Sequence, residues 1–158
     1  MKKYIGTKMI QAEPAFRVSA GDFKNVIYPK THAVPEDRTG QTWEDGYKVV
    51  YPDGYVSWSP KDVFEEAYRE TTGMNFGLAI EALKKGLRVA RNGWNGKGMY
   101  VFLAYEADFV TDADLSAFDQ LEVEVGDMLV MKTAQNTFQP GWLASQSDML
   151  ADDWYIVE

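Results

Sequence analysis

The chain has 158 residues, of which 46% are hydrophobic, so it can bury a core as one ordinary domain or as two small ones. Cysteine is absent, which excludes disulfides, thiolate metal sites and a cysteine nucleophile. The net charge of −8 argues against non-specific binding of duplex nucleic acid, and no apolar run approaches the roughly 18 residues of a membrane span.

The first 73 residues predict a small accessory module. No apolar segment of a secretory signal follows the two lysines at the N-terminus. A strand-like segment covers residues 4–13, and a long polar loop from Pro14 to Asp45 follows it. The turn Pro52-Asp53-Gly54 stands between two alternating segments and predicts a β-hairpin. Ser59 is the expected N-cap of a helix, and the domain boundary is predicted after the end of that helix, at residue 73.

Residues 74–158 predict the main domain. Its helix starts near Asn75 and ends at Gly86, with apolar residues about one turn apart. Strand-like segments and short helical turns follow, at 87–91, 99–105, 111–118 (a capped turn with Leu115 and Phe118), 121–125, 127–133, 137–139 and 152–157. The expected fold class is therefore α+β: an N-terminal helix packed on a mostly antiparallel β-sheet, preceded by a small hairpin and helix module.

A tryptophan stands inside a loop that is rich in glycine and asparagine. The loop reads Arg91-Asn92-Gly93-Trp94-Asn95-Gly96-Lys97-Gly98. Glycine and asparagine suit positive φ and close backbone approach, so the Trp94 ring can lie against a flat ligand while nearby amides reach its polar atoms. The alternative is a hairpin turn whose tryptophan packs back onto the sheet, since most tryptophans are structural.

Residues later in the chain complete a candidate nucleotide site with this loop. Two tryptophans can clamp a nucleobase between them, at roughly 1–3 kcal/mol per stacked base. Asn, Ser, Thr and Asp can bind base edges and ribose hydroxyls, and Lys97, Lys132 or Arg91 can meet a phosphate. Ser145 and Asp148 also fit a Ser-x-x-Asp helix cap. The candidate ligand-binding residues are Trp94, Asn95, Lys132, Thr133, Trp142, Ser145 and Asp148.

The sequence offers little for catalysis or for a metal. Its single histidine, His32, lies in a polar stretch flanked by prolines, whereas a zinc site needs several His or Cys ligands. Walker, Rossmann and nucleophile-elbow patterns are absent. We interpret three carboxylate pairs as caps or solvated residues: Asp112/Asp114, Glu122/Glu124 and Asp152/Asp153. We therefore expect no catalytic residue, no metal and no cofactor.

Two blocks of the second domain are shared with a known family. The first comprises residues 74–86 and 89–99 and ends in Trp-Asn-Gly-Lys-Gly-Met. The second comprises residues 131–134 and 140–154 and contains Trp-Leu-Ala-Ser-Gln-x-Asp. With these blocks, residues 74–158 resemble, nearly end to end, the phage Thoeris anti-defence proteins of the second type, which are sponges for a nucleotide signal.

That resemblance implies a homotetrameric α+β protein without enzymatic activity, acting in the cytoplasm of the host bacterium. Such proteins bind glycocyclic ADP-ribose, the product of a TIR-domain defence enzyme, and some relatives take up cyclic dinucleotides at a separate site. By motif, Trp94 and Trp142 would pack on the ligand, and Asn95, Ser145 and Asp148 would hydrogen-bond it. Lys132 is a candidate ligand-binding residue because of its positive charge rather than because of the family motif.

The first 73 residues depart from that family. They resemble a leader module of other phage proteins, whose most typical part is Gly46-Tyr47 with the stretch from Asp53 to Pro60. Two other functions stay open for the whole chain. One is an enzyme that cleaves the same kind of nucleotide, and the other is a phage structural or host-protein-binding module.

Overall fold

The computed structural model of the chain describes residues 7–18, 24–30, 42–105 and 126–158. The chain divides into two compact units, Met1–Arg69 and Glu70–Glu158. The described part of each unit contains one antiparallel sheet with short helices, so the α+β class predicted from the sequence is confirmed. No helix in these ranges is long and apolar enough to cross a membrane. Some predictions fall outside them: His32, the capped turn at 111–118 with Asp112 and Asp114, and the strand at 121–125 with Glu122 and Glu124.

The described part of the first unit forms a four-stranded sheet with one helix. Its elements are β1 (Gln11–Val18), β2 (Ile27–Pro29), β3 (Trp43–Val50), β4 (Val56–Pro60) and α1 (Lys61–Ala67). The strand order is β2-β1-β3-β4, and all pairs are antiparallel. The predicted hairpin is confirmed as β3 and β4, and Gly54 in its turn has a φ of 82°.

Two local predictions for this unit are wrong. The strand that was expected to stop before Pro14 continues through it to Val18. The Pro14 carbonyl accepts from the Lys30 N–H at 3.0 Å, just beyond the end of β2. The Pro14 nitrogen, which has no hydrogen to donate, faces the same side of the strand, where the pairing of β1 with β2 ends. Proline is therefore tolerated at this position. Ser59 does not cap α1, because it pairs with Tyr47 inside β4; the N-cap is Pro60, without a side-chain cap bond.

Gly46 is closely packed against strand β4. It lies opposite Pro60, and a Cβ on it would overlap the Ser59 carbonyl and stand 2.7 Å from the Trp58 indole. The Arg17 guanidinium lies over the same indole, 3.9 Å from its centroid. Glycine at position 46 is therefore what lets the indole lie directly against strand β3.

Gly46→Ala is expected to lower the free energy of unfolding of the first unit by about 1–3 kcal/mol, the usual cost of overpacking. Urea unfolding of the full chain measures it. Gly54→Asn is the matched glycine control, because position 54 is open and asparagine tolerates its positive φ. An equal loss in both variants would contradict the packing explanation.

The described part of the second unit forms a five-stranded sheet with a helix packed against it. Its elements are α2 (Phe76–Lys84), β5 (Arg88–Arg91), β6 (Tyr100–Ala104), β7 (Met128–Lys132), β8 (Phe138–Pro140), α3 (Gln146–Met149) and β9 (Trp154–Val157). The strand order is β8-β7-β6-β5-β9, again antiparallel throughout. The buried core joins helix and sheet through Met74, Ala79, Ala82, Leu83, Val89, Val101, Met131 and Trp154.

Helix α2 begins and ends where the sequence predicted. The Asn75 side chain accepts the Leu78 N–H at 3.0 Å and caps the first turn. Gly86 has a φ of 79°, and the N–H groups of Gly86 and Leu87 donate back to Leu83 and Ala82, which is the Schellman arrangement. The predicted packing of this helix on a mostly antiparallel sheet is confirmed.

Candidate functional site

Sheet register brings the predicted site residues to one end of the second unit. Arg91, the last residue of β5, pairs with Trp154, the first residue of β9. Tyr100, the first residue of β6, pairs with Lys132, the last residue of β7. The Trp94 loop, the turn after Lys132 and helix α3 before β9 therefore all lie at the same end of the sheet.

Three tryptophans meet at this end. Trp154 is fully buried, and the half-buried rings of Trp94 and Trp142 contact it and each other edge to face. The three centroid distances lie between 5.4 and 6.2 Å. The planes of Trp94 and Trp142 are 71° apart, so the two rings touch rather than leave a slot between them. A flat ligand would therefore stack on an outward ring face and not between two parallel rings.

Asp148 joins the Trp94 loop to helix α3. Its Oδ1 accepts from Trp94 Nε1 at 3.0 Å and from Arg91 at 2.8 Å. Its Oδ2 accepts from the Ser145 backbone at 3.0 Å and from the Ser145 hydroxyl at 2.6 Å, which confirms the predicted helix cap. Both carboxylate oxygens are thus used inside the protein, and the residue is only 8% exposed.

Arg91 and Asp153 belong to this network. The sequence offered Arg91 only as a possible phosphate contact, and its pairing with Asp153 was not predicted. Arg91 donates to Asp153 Oδ1 at 2.7 Å, and the Gly93 N–H donates to Asp153 Oδ2 at 2.7 Å. The pair Asp152/Asp153 was interpreted as a capping or solvated turn. Asp152 is exposed, whereas Asp153 is partly buried and uses both of its oxygens to hold Arg91 and the loop backbone. Arg91 and Asp153 are 62 positions apart in the chain. The sequence near each of them showed only a basic residue at the end of one strand and an acidic residue just before another, so their pairing could not be predicted from it.

The network lowers the pKa of both carboxylates. Burial on its own raises the pKa of Asp148, but hydrogen bonds from Ser145, Trp94 and Arg91 outweigh it and lower the pKa from 3.8 to about 2. The hydrogen bond from Arg91 is the main cause of the lowered pKa of Asp153, against the smaller effect of burial. Both groups therefore stabilise the folded state as carboxylates.

This predicts acid sensitivity of the second unit. Lowering the pKa of Asp148 from 3.8 to about 2 corresponds to about 2.5 kcal/mol of folding free energy. Because the folded pKa is the lower one, this contribution is complete above about pH 4 and is lost as the pH falls towards 2. Urea unfolding across that range measures it, and Asp148→Asn should flatten the dependence. An unchanged slope in the variant would contradict the assignment.

The remaining predicted residues differ in what they can offer a ligand. Asn95 is exposed on the loop. Lys132 is half-buried, donates to the Gly98 carbonyl at 3.1 Å and lies 5.7 Å from the Tyr100 ring centroid. Thr133 is buried, and its hydroxyl pairs with that of Thr137 at 2.7 Å, which places it in the β7–β8 turn. Asn95 is therefore accessible from solvent, whereas the hydroxyl of Thr133 already has a partner.

The loop backbone is held at several points. Asn92 and Gly93 donate to Asp153, and Trp94 N–H donates to the Arg91 carbonyl at 3.3 Å. A Cβ at Gly96 would stand 2.7 Å from the Ala134 Cβ and overlap Met99, so this position accepts only glycine. The described residues thus present a fixed loop beside rings that pack edge to face. They contain no group of three acidic or histidine side chains that could hold a metal ion.

Comparisons with known proteins match this same unit. The model of the Thoeris anti-defense 2-like domain matches residues 74–157. Thoeris anti-defense 2 of Bacillus phage SP01 is 41% identical over 87 residues, which is 54% of this chain and 97% of that protein. The family match covers the tryptophans, the loop and the carboxylates that come together in this unit.

Proposed function

Because the chain belongs to the Thoeris anti-defense 2-like family, we propose that its second unit binds the nucleotide signal of Thoeris defence and sequesters it without cleaving it. The family gives the chain a phage anti-defence role. The signal we propose is glycocyclic ADP-ribose, bound in the host cytoplasm by a homotetramer, with cyclic dinucleotides as a second ligand class. The observation that carries the proposal is the convergence of Trp94, Trp142, Asn95 and Lys132 at one end of one sheet.

The residues supply the kinds of contact that a nucleotide needs. Outward faces of the Trp94 and Trp142 rings can take a base, at about 1–3 kcal/mol for each stack. The exposed amide of Asn95 can bind a base edge or a ribose hydroxyl. Lys132 can turn from the Gly98 carbonyl to a phosphate oxygen, which is a stronger, charge-assisted bond.

Rigidity of the site supports tight capture. A protein that sequesters the signal must outcompete the receptor of that signal. It therefore needs a nanomolar Kd, which corresponds to a binding free energy of about −12 kcal/mol. Ordering a mobile loop on binding would consume part of that energy. Here Asp148 and Asp153 already fix the loop through Trp94, Arg91 and Gly93. In this proposal Asp148 and Ser145 position the rings, and direct contact of either one with the ligand stays a prediction.

The test is to mix the full chain with glycocyclic ADP-ribose, remove free nucleotide and then denature the protein. Release of intact nucleotide in stoichiometric amount supports sequestration. A new product that accumulates with time would instead show the nucleotide-cleaving enzyme. Failure to retain any cyclic nucleotide would overturn the proposal in favour of a structural or host-protein-binding module. Native mass spectrometry of the same samples gives the number of protomers and of ligands.

Lys132→Ala is expected to weaken signal binding by about tenfold or more, because a charge-assisted phosphate contact is worth roughly 1.5–3 kcal/mol. Lys84→Ala is the matched control, since Lys84 lies on helix α2 and pairs with Glu81 at 2.9 Å. Calorimetric titration of both variants measures the difference. Equal losses would refute a specific role for Lys132.

A further inference from the structure

The loop contains the only two Asn-Gly dipeptides of the chain, Asn92-Gly93 and Asn95-Gly96. Asparagine is chemically labile, and most so before glycine, whose backbone nitrogen is least hindered in attacking the side-chain amide. The two dipeptides lie in one loop, and both asparagines are exposed. Their surroundings differ at the attacking nitrogen, however, and that difference decides which one reacts.

The Gly93 nitrogen is held away from the reaction. Its N–H donates to Asp153 Oδ2 at 2.7 Å, and the Asn92 N–H donates to the Asp153 carbonyl at 3.2 Å. Attack by Gly93 would first have to break a hydrogen bond to a carboxylate and move an anchored turn. No hydrogen bond within the described residues engages the Gly96 N–H.

The fold also prevents the usual protection of Asn95. A bulkier residue after an asparagine would hinder the attacking nitrogen. Position 96 cannot take one, because a Cβ there would overlap Met99 and stand 2.7 Å from Ala134. The close packing that shapes the loop therefore leaves Asn95 followed by glycine.

We propose that Asn95 is a spontaneous deamidation site and that its conversion ends signal capture. The Gly96 nitrogen attacks Asn95 Cγ, an N–Cγ bond forms, and the Cγ–Nδ2 bond breaks. The side-chain nitrogen leaves as ammonia with the proton from the Gly96 N–H. Water then opens the cyclic imide at either carbonyl and leaves aspartate or isoaspartate at position 95.

The consequence for binding rests on the proposed function, whereas the chemistry at Asn95 does not. Conversion replaces an amide donor with a carboxylate in a half of the chain whose last two bases are Lys97 and Lys132. A new negative charge beside an anionic nucleotide is unfavourable. A bound ligand that holds the Asn95 amide would in turn slow the reaction.

The experiment is to age the full chain in mildly alkaline buffer and map deamidation by mass spectrometry. Cleavage after Arg91 and Lys97 gives one peptide that contains both asparagines, and its fragment ions distinguish them. We expect Asn95 to convert at least about tenfold faster than Asn92, since the Gly93 hydrogen bond must first be broken. Comparable rates, or a faster Asn92, would overturn the site assignment.

Three controls separate the parts of the proposal. In urea the two asparagines of the unfolded chain should convert at similar rates, which shows that the fold makes the difference. Asn95→Gln should block conversion at this position, because glutamine would have to form a larger ring. Asn95→Asp should bind glycocyclic ADP-ribose at least about tenfold more weakly than the unaged chain. Full affinity of Asn95→Asp would overturn the effect on capture while leaving the deamidation site in place.

Discussion

Asp148→Ala is expected to lower the free energy of unfolding of the second unit by about 3–5 kcal/mol, the usual cost of removing one partner of a buried ion pair. The substitution removes the acceptor of four hydrogen bonds, which come from the Trp94 indole N–H, one Arg91 N–H, and the backbone N–H and hydroxyl of Ser145. Arg91 keeps Asp153, so the loss should lie at the lower end of this range. Chemical unfolding of the full chain, followed by circular dichroism, measures it.

Asp152→Ala is the matched control for this prediction. Asp152 lies in the same segment but is exposed, and substitutions at such positions usually change stability by less than about 0.5 kcal/mol. Asp148→Asn separates charge from shape, because its amide oxygen can still accept from Trp94. We expect Asp148→Asn to fall between the alanine variant and the parent chain. Equal stability of the Asp148→Ala and Asp152→Ala variants would show that the network is unimportant.

Trp142→Ala and Trp94→Ala are each expected to weaken signal binding by about 5- to 150-fold, the equivalent of one lost base stack. Trp94 also contacts the core ring of Trp154, so its alanine variant should lose some stability as well. Trp94→Phe distinguishes the two roles. It keeps an aromatic face for stacking but removes the indole donor to Asp148.

Calorimetric titration and thermal unfolding of the same samples test this prediction together. Tyr55→Ala is the control, because Tyr55 is a 64% exposed aromatic residue of the first unit and should leave binding unchanged. Binding by Trp94→Phe close to that of the parent chain would support stacking. Full binding by both alanine variants would mean that the tryptophans serve only to hold the fold together, which was the structural alternative for this loop.

Sequence patterns were reliable where structure depends on a few neighbouring residues. Asn75, Gly86 and the Ser145-x-x-Asp148 cap were recognised because caps use side chains and backbone within one turn. The β3–β4 hairpin was recognised for a similar reason, since its turn residues and alternation are local. The continuation of β1 through Pro14 and the place of Ser59 inside β4 were not recognised. In both cases, pairing with another strand outweighed the local sequence signals.

The sequence by itself determined the α+β class, the helix caps and the residues that mark the family, because each depends on local patterns or on motifs. Only the tertiary structure decided how those residues act on one another. It joins Arg91 to Asp153 and Trp94 to Asp148 across more than fifty positions. It sets the two tryptophan rings edge to face and leaves the Gly96 nitrogen beside Asn95 without a partner among the described residues. Such contacts follow from strand register and packing, which no short stretch of chain specifies.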